Sequence, residues 1–211
     1  MQLFNEKAEK YLPYGLGIIF FILYLLTLCP TLSFIDSGEL ATVCCTLGIA
    51  HPTGYPLFTL IGHLFTRFPL FNSEIYTLNL MCAAFCAIGL IFFYRFNYFL
   101  FSSGIENEKS SKNKKKTIRK VENKKNIVII ASVVAVMSLG LSRNYWMQST
   151  SIEVYPLHVL FISLLLWVFI KFIEIPLVKS DILNKDAVKK WMIFGLLLGL
   201  SFTNHMTTIF L

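Results

Sequence analysis

The sequence predicts an all-α fold: a polytopic transmembrane helical bundle of about five spans, with short interfacial helices in its first outer loop. Three observations predict it. The 211 residues are 55% hydrophobic and only 15% charged, against about 25% charged in an ordinary soluble domain. With 20 Phe and 9 Tyr and a mean hydropathy of +0.64, the chain carries more apolar surface than one soluble core of this size can hide. Apolar runs near the length needed to cross a bilayer recur along it, and its basic residues cluster between those runs.

The first span is expected at about 13–29, from Pro13 to Cys29, before Pro30. Lys7 and Lys10 precede it as in a signal peptide, but no Ala-x-Ala-like site follows, so it reads as an uncleaved anchor. Ser73 stands as N-cap of the second span, 74–101. The third, 127–142, is short and ends near Arg143, and the fourth covers 154–173. The fifth covers 191–211 and is still apolar at Ile209-Phe210-Leu211, so the chain is expected to be the N-terminal piece of a longer enzyme. Residues 1–211 are thus one transmembrane domain. In the fifth run Gly195 and Gly199 form a GxxxG pattern suited to close helix packing.

Charge placement orients these spans. The loop 102–126 carries Lys112, Lys114, Lys115, Lys116, Arg119, Lys120, Lys124 and Lys125, and Lys171, Lys179, Lys185, Lys189 and Lys190 lie between spans four and five. The positive-inside rule puts both segments and the N-terminus in the cytoplasm, so that 17 of the 19 basic residues share one side. The formal net charge of +7 is then a topology signal and an attraction to anionic lipid. The lysine run reads as a solvated loop. It lacks the interleaved aromatics of a single-strand binder, so nucleic acid is excluded as a partner. The other face holds Arg67, Arg143, Asp36, Glu39, Glu74, Glu153 and all four histidines, His51, His63, His158 and His205. Ionisable groups at a membrane are expensive, which marks this face as functional. Cys29, Cys44, Cys45, Cys82 and Cys86 show no zinc spacing and read as free thiols.

The outer loop 31–72 carries the chemistry. Asp36 and Glu39 stand three apart, ahead of an apolar run to Ala50 that is too short to span. His51-Pro52-Thr53-Gly54-Tyr55-Pro56 dictates a turn, and Pro56 suits the first turn of a second short helix, about Leu57 to Phe68. Asp-x-x-Glu before an apolar run is also a capping box, with Asp36 as N-cap and Glu39 at N3. That reading and a carboxylate acting as a general base are compatible, because one acid can cap while the other works. His51 in such a turn reads first as a hydrogen-bonded turn residue.

The run Pro30-Thr31…Asp36-x-Gly38-Glu39…His51-Pro52-x-Gly54-x-Pro56-Leu57 resembles the motif of a family of polytopic membrane proteins related to the protein O-mannosyltransferases. Thr53 and Ala50 depart from the family's usual Pro and Gly. Glu153, Tyr155 and the Asn204-His205 pair also fall on family-like positions. The resemblance implies a GT-C-type glycosyltransferase, of which this chain is the N-terminal half. It implies a polyprenyl-phosphate-linked sugar, mannose or another hexose, as donor and a protein Ser/Thr or glycan hydroxyl as acceptor, with no cofactor.

A hydroxyl is a poor nucleophile until its proton is removed, so Asp36 is the expected base, with Glu39 second or orienting it. The leaving phosphate needs positive or hydrogen-bonding groups; Arg143 and His205 are expected there, with His51 and His158 behind them. Tyr55, Glu153, Tyr155 and Asn204 complete the expected substrate-binding set. Glu153 and Tyr155 read equally as ordinary helix-start and aromatic-belt residues. Asp36 and Glu39 alone are weak evidence for a metal, and none is expected. The membrane is expected to be the bacterial cytoplasmic membrane, or the endoplasmic reticulum in a eukaryote. A transporter or a non-catalytic scaffold is the alternative, but a transporter calls for ionisable groups at the membrane midplane.

Overall fold

The computed structural model describes residues 6–33, 36–68, 73–103, 114–173 and 185–211. Parts of the expected loops, including Lys112 and Lys179, lie outside the described residues. Eight α-helices are present among the described residues: α1 Glu6–Leu26, α2 Ser37–Thr46, α3 Pro56–Thr66, α4 Glu74–Ser103, α5 Lys114–Gly140, α6 Arg143–Thr150, α7 Tyr155–Ile173 and α8 Lys185–Asn204, before a 3-10 turn at Met206–Phe210. The all-helical membrane bundle is as expected.

Among the described residues four helices are long and apolar enough to cross a membrane: Glu9–Leu26, Glu74–Ser103, Asn123–Gly140 and Tyr155–Ile173. The fifth expected span, 191–211, is not one helix. Its helix α8 breaks after Asn204, and His205 is extended (φ −152°, ψ 127°) before the 3-10 turn. Asn204 is fully buried with its amide toward the Val154 carbonyl at 3.5 Å, and the His205 side chain caps the turn by accepting from Thr207 N–H. The GxxxG expectation also changes: a Cβ at Gly195 or Gly199 would meet nothing within 4 Å, so no described helix packs there. The lysine segment differs as well, because its backbone from Lys114 onward is the start of α5.

Helix α4 is the central pillar, with α7, α1, α5 and α6 around it. Inside a bilayer there is no water-driven attraction between helices, so close packing and interhelical hydrogen bonds hold them. Both are visible. A Cβ on Gly140 would lie 2.5 Å from the Phe20 ring, so only glycine lets α1 approach the end of α5 this closely. There the buried Tyr24 donates to the Gly140 carbonyl at 2.9 Å, and the buried Tyr145 of α6 donates to the Cys86 carbonyl of α4 at 2.8 Å.

The two short helices form as expected, with Pro56 in the first turn of α3. They pack in contact at Gly62, where an added Cβ would lie 2.4 Å from Cys44 Sγ. His63 Nε2 accepts from Arg67 Nε at 3.2 Å, which leaves Nδ1–H to donate to the Cys44 carbonyl at 2.8 Å. All five cysteines are free, and burial pushes the Cys44 thiol up to about 12.

Candidate functional site at the motif end of the bundle

The C-termini of α1, α5 and α8 and the N-termini of α4 and α7 meet at one end of the bundle, with α2, α3 and α6 beside them. One buried amide fastens this end. Asn79 of α4 donates to the carbonyls of Cys29 (2.8 Å) and Thr31 (3.2 Å) and accepts from Ile152 N–H (2.7 Å). Cys29 N–H also donates to the Thr150 carbonyl at 2.9 Å. The strand of chain leading into Asp36 is thereby tied to the segment carrying Glu153.

Asp36 and Glu39 do not form the expected capping box. Asp36 occupies the N-cap position of α2 but its side chain makes no cap hydrogen bond. Glu39 instead reaches across twelve positions to His51, accepting from its backbone N–H at 2.6 Å and from ring Nδ1 at 3.0 Å. Both Glu39 oxygens are thus occupied. The ring hydrogen bond is the main reason why the Glu39 carboxyl lies below its ordinary value and the His51 imidazole above its own. His51 Nε2 faces the Tyr55 hydroxyl at 3.2 Å. The Asp36 carboxylate has no hydrogen-bond or ion-pair partner among the described residues. Asp36, Glu39 and His51 each bring one ligand atom within 4.8 Å of the others, which is the chemistry of a divalent-cation site, although the two Glu39 oxygens would have to release His51 to join it.

The turn that positions His51 and Tyr55 is built from unusual backbone. Gly54 has φ +86°, and Tyr55 has φ +43°, a left-handed conformation that costs a bulky residue about 1–2 kcal/mol. The distortion buries the Tyr55 ring between two histidines: edge-on to His51 at 5.4 Å and stacked on His205 at 5.7 Å. His205 also meets Tyr155 at 5.5 Å and His158 at 4.9 Å. Burial raises the Tyr55 phenol and lowers the His205 imidazole. Glu153 is raised by burial first and by the charge of Asp36 second.

Thr207, absent from the expected set, joins two rings of this group. Its hydroxyl lies 2.8 Å from His158 Nε2 and 2.7 Å from His205 Nδ1. Both contacts are satisfied when His158 donates from Nε2 and the hydroxyl donates to His205. His158 Nδ1 is then a bare acceptor, and it and Asn204 Oδ1 are buried without a partner among the described residues. Beside Tyr155 a crevice of about 230 Å³, lined by Cys86, Leu139, Tyr145, Gln148, Pro156 and Val159 among others, runs between α4, α5, α6 and α7.

The structure therefore brings together nine of the ten expected residues: Asp36, Glu39, His51, Tyr55, Glu153, Tyr155, His158, Asn204 and His205. Arg143 stands apart: it is exposed on the first turn of α6 and makes no hydrogen bond or ion pair among the described residues, although its neighbours Ser142 and Asn144 line the crevice. Asn79 and Thr207 were missed. A single amide within the apolar stretch 75–93 is the signal that could have found Asn79.

Comparison with known proteins adds the last observation. Residues 36–211 match the family model described as the protein O-mannosyl-transferase TMEM260 N-terminal domain. The chain is 33% identical over 160 residues to the mouse protein O-mannosyl-transferase TMEM260, a match covering 74% of this chain and 19% of that protein. It is 39% identical over 75 residues to the Dictyostelium discoideum protein of the same name, covering 35% of this chain and 9% of that one. The match thus spans a fifth or less of either relative. No solved structure matches the chain.

Proposed function

Since the chain belongs to the protein O-mannosyl-transferase TMEM260 N-terminal domain family, we propose that it forms the membrane-embedded catalytic part of an enzyme that moves a mannosyl group from a polyprenyl-phosphate donor to a protein Ser/Thr hydroxyl. The observation that carries this reading is the division of labour between the two motif acids. Glu39 has both oxygens on His51, whereas the Asp36 carboxylate has no partner among the described residues.

Asp36 is then the base. As the acceptor oxygen attacks the anomeric carbon, its proton passes to the Asp36 carboxylate, the bond from that carbon to the phosphate oxygen breaks, and the lipid phosphate leaves. General-base removal of this kind contributes on the order of 10²–10⁴-fold. His51, biased toward its cationic form by Glu39, stabilises the phosphate as charge develops. His158 and Asn204 are buried and form the wall behind His205, while the exposed Tyr155 ring beside it offers a face to the sugar. The isoprenoid tail lies in the crevice beside Tyr155 and Pro156, and Arg143 meets the phosphate from its mouth. The eukaryotic relatives favour the endoplasmic reticulum over the bacterial membrane, with this end of the bundle facing the lumen.

The test uses the full-length protein, reconstituted with polyprenyl-phosphate mannose and an acceptor peptide. Asp36→Asn should lower transfer by about 10³-fold while leaving the thermal unfolding temperature unchanged. Normal transfer by a folded variant would overturn the base assignment. Absence of transfer by the unaltered protein with any polyprenyl donor would overturn the activity.

A further inference from the structure

At the opposite end of the bundle, three helices place two cations around one indole. Arg95 of α4 lies 5.0 Å from the Tyr14 ring centroid of α1 and 5.2 Å from the Trp167 ring centroid of α7. Lys171, one turn beyond Trp167 on α7, lies 5.0 Å from the same indole. Arg95 Nη2 donates to the Tyr14 hydroxyl. Neither cation has a carboxylate among the described residues. The nearby acid, Glu9, is already spent, with one oxygen accepting from Tyr98 and the other 2.6 Å from Lys125.

A guanidinium has five N–H donors in a planar fork, and one of Arg95's is satisfied by Tyr14. Arg95 is half-buried between α1 and α7, whereas Tyr14 and Lys171 are exposed. A lone arginine at a membrane boundary can snorkel to water. This one instead lies between two rings, with one N–H donated to the Tyr14 hydroxyl. Two like charges sharing one indole also repel each other unless an anion lies between or beside them. In a bilayer, the anion that abounds at the depth of helix ends is the lipid phosphate.

We propose that Tyr14, Arg95, Trp167 and Lys171 form a binding site for the phosphate headgroup of an anionic membrane lipid, in the leaflet opposite the motif. Arg95 engages the phosphate oxygens through its free fork, Lys171 adds the second charge, and the Trp167 and Tyr14 rings hold the guanidinium in place. The site is remote from Asp36 and His51 and does not depend on the transferase reading.

The full-length protein is reconstituted into phosphatidylcholine vesicles containing phosphatidylglycerol, then extracted in mild detergent, and its retained lipid is quantified by mass spectrometry. Phosphatidylglycerol should be enriched over its bulk share, and the enrichment should fall about fivefold for Arg95→Gln and again for Lys171→Gln. Arg95→Lys keeps the charge without the fork and should fall between. Lys125→Gln, whose cation is paired with Glu9, should retain the enrichment. Lys171→Gln alters an exposed side chain only, so it tests the site even if Arg95→Gln fails to fold. Unchanged enrichment in Lys171→Gln, or an equal loss in Lys125→Gln, would overturn the proposal. Displacement of the lipid by an equal concentration of inorganic phosphate would assign the site to a free anion and overturn it as well.

Discussion

The two ends of this helical bundle handle charge in opposite ways. At the motif end the acids and histidines are few and nearly all held: Glu39 by His51, His158 and His205 through Thr207, and the loop itself by Asn79. At the other end Glu9 holds Lys125 and Tyr98, but Arg95 and Lys171 lie on the faces of Trp167. A hydrogen bond fixes direction and distance, whereas a cation over a ring fixes neither as tightly. The first arrangement suits a group that must meet a reacting atom, and the second suits a mobile lipid headgroup.

If the motif end is held by its polar pins, breaking the most buried one should cost most. Asn79→Leu keeps the branched shape at a somewhat larger volume but strips the partner from three backbone groups, of which Ile152 N–H is fully buried. The expected loss is about 3 kcal/mol, read from thermal unfolding in nanodiscs, with protease cutting near Asp36 rising in parallel. A smaller effect, about 2 kcal/mol, is expected for Gly62→Ala, whose new methyl would meet Cys44 Sγ at 2.4 Å. Cys44→Gly should restore much of that loss in the double variant, because it removes the opposing sulfur. If Asn79→Leu proved as mild as a surface change, the contrast between a firmly and a loosely pinned end would fail.

What the sequence revealed and concealed follows the same physics. The His51–Pro56 turn and the start of α3 were legible because proline and glycine act on their own backbone. The two short interfacial helices were legible because their apolar runs are too short to span. The capping box was misleading, since the true partner of Glu39 lies twelve positions away in the turn after α2, beyond the reach of a four-residue pattern. The break at Asn204–His205 was concealed because the short polar stretch from Ser201 to Thr208 sits between two apolar runs. The start of α5 within the lysine run was concealed by charge, yet no glycine or proline interrupts the chain from Lys114 to Met137. Nine of the ten expected site residues converge because the motif and the Glu153 and Asn204 segments all sit at helix ends on one face. Arg143 fails to join them because α6 begins there and turns it outward.

The smallest effect expected is also the one most specific to the motif end, because it depends on proton equilibria. The His51 ring hydrogen bond lowers Glu39 from an ordinary value of 4.5 and raises His51 from 6.5. A carboxyl so lowered adds stability above its ordinary value and loses it as pH falls through the lowered one. An imidazole so raised adds stability below its ordinary value and loses it as pH rises through the raised one. The loop should therefore be held most firmly between the two ordinary values and should loosen in both directions outside them. Histidine NMR titration should find His51 titrating above 6.5 in the unaltered protein and closer to that value in Glu39→Gln. Exchange of the His51 amide should quicken in the variant, since its N–H loses a charged acceptor. The opposite end involves neither Glu39 nor His51, so lipid retention there should be flat over the same pH interval. A parallel pH dependence at both ends would mean that the two charge systems are coupled through the bundle.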